Sequence, residues 1–248
     1  MNLTVKDSKC EVRRAKSELV DGPFPTSHFE LPTSDFLLWQ LADSAFPTGG
    51  FAHSGGLEAA RQHGEVQNRD ELVAFLRTSL RQLERASLPL VVAAHEEPNC
   101  VEEWDRLTDA FLSNHVANRA SRAQGKALLS AIPRIFPDSG QQPGAPVLPF
   151  AHLAPAFGII TRRLGLPRLR SCRLFCFHQL RGVLAAAVRL NIVGPREAQS
   201  LQNRLAPVAE EVVQRSQNLS PGDLAQTAPL LDLWQGTHDR LYSRLFQS

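Results

Sequence analysis

The sequence predicts an all-α fold: a single-domain globular helical bundle with one central apolar helix. Three observations carry this. Apolar residues recur at i, i+3/i+4 spacing along most of the chain, the mark of amphipathic helices. No segment sustains the period-two alternation of a half-buried strand. Finally, residues 168–190 are apolar nearly all round (Leu174, Phe175, Phe177, Leu180, Val183, Leu184, Ala187, Val188), as a helix in the middle of a core must be. A chain of 248 residues with 43 % apolar and 21 % charged residues can bury a sizeable core.

Residues 1–33 read as a disordered N-terminal extension, charged at first and then interrupted by Pro23, Pro25 and Pro32. The helical domain spans 34–248. Its first helix is a buried one, carrying Phe36, Leu37, Leu38, Trp39 and Leu41 and stopping before Pro47. A short helix covers Leu57 to His63 and is closed by Gly64, with Ser54 as its cap. Leu72, Phe75, Leu76, Leu80 and Leu83 form the stripe of the next helix, with Asn68 as cap and Asp70 and Glu71 in the first turn. Pro89 should kink or restart it. Trp104, Leu107 and Phe111 make another apolar stripe. Asn118 is the predicted cap of a helix to about Phe136, whose small face (Ala120, Ala123, Ala127, Ala131) suits close packing.

Residues 137–150 hold four prolines and two glycines and form a loop. A helix over 152–164 ends at Gly165 and Pro167. The apolar helix of 168–190 comes next. Gly194 should end it, and Pro195 starts the next helix in the favoured first-turn position. Pro207 should interrupt that helix. The last predicted helix carries Leu241, Tyr242, Leu245 and Phe246.

The segment with the most particular chemistry is Pro47-Thr-Gly-Gly-Phe-Ala-His-Ser-Gly-Gly-Leu-Glu58. Four glycines in twelve residues imply positive φ or close backbone approach. A phosphate-binding P-loop needs Lys and Ser/Thr after its last glycine, and here Gly56 and Leu57 follow Gly55. A nucleophile elbow needs glycine two residues before its serine, and Ala52 stands there before Ser54. What remains is a tight helix–loop–helix connection that also suits surface recognition.

The Cys/His cluster Cys172-x-x-x-Cys176-x-His178 cannot converge on one ion within an intact helix, because His178 projects from the face opposite Cys176. Core packing explains the two thiols, although a metal-dependent enzyme built on them is an alternative. Arg162, Arg163, Arg168, Arg170 and Arg173 could hold phosphate or an acidic partner. They read first as a solvated rim, and alternatively as the surface of a basic helical nucleic-acid-binding regulator. A net charge of +2 does not favour nucleic acid, and no aromatics interleave these arginines. Arg119, Arg122 and Lys126 form a second basic stripe. The four cysteines lack a framework spacing, and neither a signal peptide nor a membrane span is legible, so the cytoplasm is the expected compartment.

Three segments together resemble the urease accessory protein UreF family. They are Leu41 to Glu58, Asn118 to Leu129, and the end of the chain from Pro229 to His238 and Arg244 to Ser248. Arg189-Leu-Asn-Ile-Val-Gly194 is also similar to a helix–turn of that family. The resemblance covers about residues 35–248. Thr48 and Ala52 depart from the usual pattern, as does the single glycine after Gln124. The resemblance implies a non-catalytic protein with no catalytic, cofactor or metal residues of its own. It implies a homodimer that joins UreD (also called UreH) to the GTPase UreG and assists GTP-dependent nickel delivery to apo-urease, with no nucleic acid and no membrane among its partners. The signature positions it marks for partner binding are Pro47, Gly49, Gly50, Phe51, His53, Ser54, Gly55 and Glu58 in the loop. In the helix they are Arg119, Ser121, Arg122, Gln124 and Gly125. At the end they are Tyr242, Arg244, Leu245 and Phe246.

Overall fold

A computed structural model describes residues 35–137 and 148–248. The extension expected over 1–33 and most of the loop expected over 137–150 lie outside the described residues. Among those described, every regular element is helical. In chain order they are α1 (Asp35–Ala42), α2 (Leu57–Gln62), α3 (Arg69–Arg85), α4 (Leu88–Glu96), α5 (Val101–Phe111), α6 (His115–Ile135), α7 (Leu153–Arg163), α8 (Arg168–Arg189), α9 (Pro195–Ser216) and α10 (Pro229–Gly236), with short 3₁₀ turns at Gly50–Ala52, Pro98–Cys100, Pro221–Asp223 and His238–Arg240.

The helices form where the sequence stops and starts them. Asn68 accepts from the amides of Asp70 and Glu71, and Glu71 reaches back to the Asn68 amide, a complete capping box on α3. Pro89 sits in the first turn of α4, where its missing N–H is harmless. Gly194 and Pro195 open α9 in the same manner.

The centre of the bundle is the pair α4 and α7. Every residue from Leu88 to His95 and from Leu153 to Thr161 is buried. The helix expected to be central, α8, contacts α1, α2, α3, α4, α7 and α9, and its inner line runs through Cys172, Leu174, Phe175, Leu180 and Leu184. It keeps a wet edge at Arg170, Arg173 and Arg189, so burial on all sides belongs to α4 and α7 rather than to α8.

Several local expectations need correction. The first helix is largely exposed: Phe36 and Trp39 are 75 % and 60 % accessible and pack edge-on against each other, and only Leu41 is buried. The cap of α6 is Asn114, four residues before the expected Asn118. Its Oδ1 accepts from Val116 and Ala117, while Asn118 donates to Asp109 and to the Leu112 carbonyl. The small face of α6 does not run through Ala123, which is exposed; the close approach is made at Gly125. In α5 the buried line is Val101, Asp105 and Thr108, leaving Trp104, Leu107 and Phe111 half-buried. Pro207 does not interrupt α9, which continues to Ser216. Leu201 and Leu205 before it and Val212 and Val213 after it are all buried, and their packing offsets the one lost hydrogen bond. Residues 241–248 are not a helix, for a reason that lies in the site itself.

Candidate functional site

Gly49, Gly55 and Gly56 of the glycine loop adopt positive φ. At Gly56 (φ 87°) a side chain would also press on Gln235 of α10, its Cβ 3.1 Å from that of Gln235. The turn brings the first turn of α2 inward, so that Leu57, Glu58, Ala59 and Ala60 are all buried. Ser54 supports this turn less as an end cap than as a strut. Its Oγ accepts weakly from the Glu58 amide at 3.4 Å and donates to the Ser248 carbonyl at 3.1 Å.

A buried carboxylate must find donors. Glu58 finds three. His238 Nε2 lies 3.0 Å from Oε2, the Leu245 amide donates to Oε1 at 2.6 Å, and the Phe246 amide donates to Oε2 at 3.3 Å. These amides serve Glu58 instead of a helix, which explains why 241–248 is irregular. The segment is tied down along its length. Gln247 donates to the Ala52 carbonyl, the Ser54 amide donates to the Ser248 carbonyl, and His53 Nδ1 lies 2.6 Å from Ser248 Oγ. Arg189 donates to the Phe51 and Leu245 carbonyls, and its guanidinium lies over the rings of Phe51 (4.4 Å) and Phe246 (4.1 Å).

Charge surrounds this knot. Arg119 on α6 grips Asp239 through two hydrogen bonds of 3.0 and 2.8 Å, and His115 and Arg244 lie beside the same carboxylate. The guanidinium holds the Asp239 carboxyl down at about 2. The ring of His53 is held below the usual histidine range by burial first, then by Arg119 and His238. His238 Nδ1 is buried with no hydrogen bond, 3.9 Å from Asp239.

A second node lies one turn along α6. Asp105, fully buried, accepts from the amides of Phe150, Ala151 and His152 at 2.7–3.0 Å. Ser121 Oγ accepts from the Leu153 amide at 3.1 Å and lies 3.1 Å from His152 Nδ1, thereby capping α7 from α6. His152 Nε2 meets Asp109 at 3.1 Å, and burial outweighs the two acids in keeping this imidazole neutral. Gly125 faces the Ala151 carbonyl so closely that a Cβ would collide with it, and Arg122 lies over Phe150 at 5.4 Å. Gln124 returns to the Ala120 carbonyl of its own helix and borders Gly50 of the loop.

Comparison with known proteins bears on what this arrangement belongs to. The UreF family model matches residues 66–206, more than half of the chain. The chain is 36 % identical to urease accessory protein F of Oryza sativa subsp. indica, with 96 % of this chain and 97 % of the relative aligned. The chain belongs to the UreF family. It is 41 % identical to urease accessory protein F of Arabidopsis thaliana over 85 % of this chain and 91 % of that one. The urease accessory protein UreF of Mycobacterium tuberculosis is 33 % identical, over 87 % of this chain and all of its own length.

Within this UreF chain the three resembling segments meet in space. The loop and the terminal segment are joined through Glu58, Ser54 and Ala52. The α6 segment joins them through Arg119 and Asp239. Arg119 finds an acid within the chain, Asp239. Phe246 is buried against the protein's own core. Tyr242 is wholly exposed, Leu245 is 60 % exposed, and Pro47 and Phe51 also face solvent. Of the seven large apolar side chains exposed among the described residues, five (Phe51, Leu230, Leu233, Tyr242, Leu245) belong to the loop, α10 and the terminal segment.

Sequence reasoning missed Asp105, Asp109, His152, Arg189, His238 and Asp239 as members of these nodes. One signal was readable: Asp105 and Asp109 stand four apart on one helix face, turned toward a histidine that opens an apolar helix. Three of the five arginines in the stretch 162–173 are engaged within the chain. Arg162 donates to the His95 carbonyl, Arg168 pairs with Glu96, and Arg173 pairs bidentately with Glu210. Cys172 and Cys176 are free, buried thiols, and burial pushes Cys176 up to about 12. His178 packs on Phe157 and Phe177 instead of facing them. Among the described residues no group of three or more His, Cys, Asp and Glu could hold a metal ion, and no helix is long and apolar enough to cross a membrane.

Proposed function

We propose that this UreF-family chain is a non-catalytic scaffold of urease maturation. It joins UreD/UreH to the GTPase UreG, works as a cytoplasmic homodimer, and assists GTP-dependent insertion of nickel into apo-urease. Nickel is the cargo in this reading, not a resident cofactor. The observation that carries the proposal is the set of exposed apolar side chains on the glycine loop, α10 and the terminal segment. These are Phe51, Leu230, Leu233, Tyr242 and Leu245, on a frame pinned by buried hydrogen bonds. Exposed aromatic and aliphatic groups on a rigid support are the anchors of protein interfaces. The buried polar residues of the two nodes support the scaffold reading as well. Glu58, His238, Asp105 and Ser121 are occupied in holding backbone amides and one another.

The test is activation of purified apo-urease by UreD, UreG, nickel, bicarbonate and GTP, with and without this chain. Activation should require the chain, and Tyr242→Ala with Leu245→Asp should abolish it without unfolding. Full activation in the absence of the chain would refute the proposal.

A further inference from the structure

The terminal segment poses a physical question. Tyr242 is wholly exposed, Leu245 is 60 % exposed and Leu241 is half-buried, so Phe246 is the one fully buried apolar side chain that anchors the segment. Eight irregular residues cost backbone entropy to order, at roughly 1–2 kcal/mol each. One aromatic ring contributes roughly 1.5–3 kcal/mol on burial. Something else must hold the segment in one conformation.

We infer that Glu58 is the positioning residue that fixes the terminal segment in the form that presents Tyr242 and Leu245. Its two oxygens take two successive amides, Leu245 to Oε1 at 2.6 Å and Phe246 to Oε2 at 3.3 Å. Gripping consecutive amides sets the rotation of the chain between them. Phe246 turns inward to 6 % exposure and Leu245 turns outward to 60 %. Hydrogen bonds to a carboxylate are worth roughly 1.5–3 kcal/mol each, against roughly 1 for neutral pairs. Glu58 is the one carboxylate that these amides meet, since the neighbouring amide of Gln247 uses the Ala52 carbonyl. Arg189 then completes the grip from the other side, through the Leu245 carbonyl and the Phe246 ring. His238 occupies the remaining place on Oε2 and keeps the carboxylate aimed. Glu58 and the glycine loop are thus the receptor for residues 241–248. The inference rests on the scaffold reading only in taking the presented side chains to be partner contacts.

The experiment uses the full chain with Glu58→Gln, which is isosteric but replaces one acceptor by an NH₂ group. Glu58→Asp, which keeps the buried charge and withdraws it by one methylene, is the second variant. Amide exchange is followed by NMR at Leu245, Phe246 and Gln247, with Leu76 and Leu80 of α3 as the internal reference. Affinity for UreD/UreH is measured in parallel. Both variants should exchange the three terminal amides at least tenfold faster, leave the α3 amides unchanged, and bind UreD/UreH at least tenfold more weakly. Wild-type exchange at the three amides in either variant would overturn the inference. So would an equal loss of protection in α3, the mark of a purely structural residue. Released amides with unchanged UreD/UreH affinity would uphold Glu58 as the positioning residue and refute the docking face.

Discussion

Glu58 Oε2 and His238 Nε2 stand 3.0 Å apart, and both side chains are sealed from solvent, at 1 % and 0 % exposure. They come from positions 180 residues apart and close the fold around the glycine loop. The carboxylate is the richer partner of the two. It serves His238 and two amides, whereas His238 serves Glu58 alone.

This asymmetry orders two substitutions. Glu58→Ala leaves a buried imidazole and two amides without their acceptor and should cost roughly 3–5 kcal/mol. His238→Ala leaves the carboxylate with both amide donors and should cost less, roughly 1–3 kcal/mol. Urea unfolding of both variants checks the order. A larger loss at His238 would contradict the account of the node.

Gly125 gives a prediction with a sign. In an ordinary helix interior, glycine to alanine gains about 1 kcal/mol. Here the new methyl would meet the Ala151 carbonyl, held in place by the grip of Asp105 on the next amides. Gly125→Ala should therefore destabilise, by roughly 1–3 kcal/mol. A rise in thermal midpoint would mean that α6 and residues 150–153 are not so close.

Much of this fold was legible in the sequence, because helix periodicity and stop signals are local. The cap at Asn68, the restart at Pro89 and the helix start at Pro195 follow from neighbouring residues alone. The glycine loop was also legible, since only a few backbone conformations suit two glycine pairs. What failed was set by distant partners. Leu241 to Phe246 carries helical spacing, but its amides belong to Glu58 and its ring to Arg189. Asp105 sits on the inner face of α5 because three amides some 45 residues later need it. Phe36 and Trp39 look like core and lie outside it, since apolar content does not say which face meets the bundle. The partners implied by the resemblance rested on the family pattern and on no single residue.

Acid should weaken this protein through its buried histidines. Burial lowers His53, His95 and His152, and takes His178 down to about 4, with Arg181 adding to the last shift. A histidine depressed on folding binds its proton more readily in the unfolded chain. Stability is then full above the unfolded value of about 6.5 and falls as the pH drops toward the folded values. Urea midpoints should decline from about pH 7 to about pH 5, and His178→Asn, which cannot titrate, should flatten the decline. An unchanged slope would show that this imidazole is not held neutral by its surroundings.

The most direct measurement of the proposed scaffolding is light scattering on size-exclusion fractions of UreD/UreH, GTP-loaded UreG and this chain, mixed in all combinations. The account predicts that UreG joins UreD/UreH in one particle only when this chain is present, and that Tyr242→Ala with Leu245→Asp dissolves that particle while the chain stays folded. A UreG–UreD/UreH particle of the same mass without this chain, or no shared particle with it, would contradict the account.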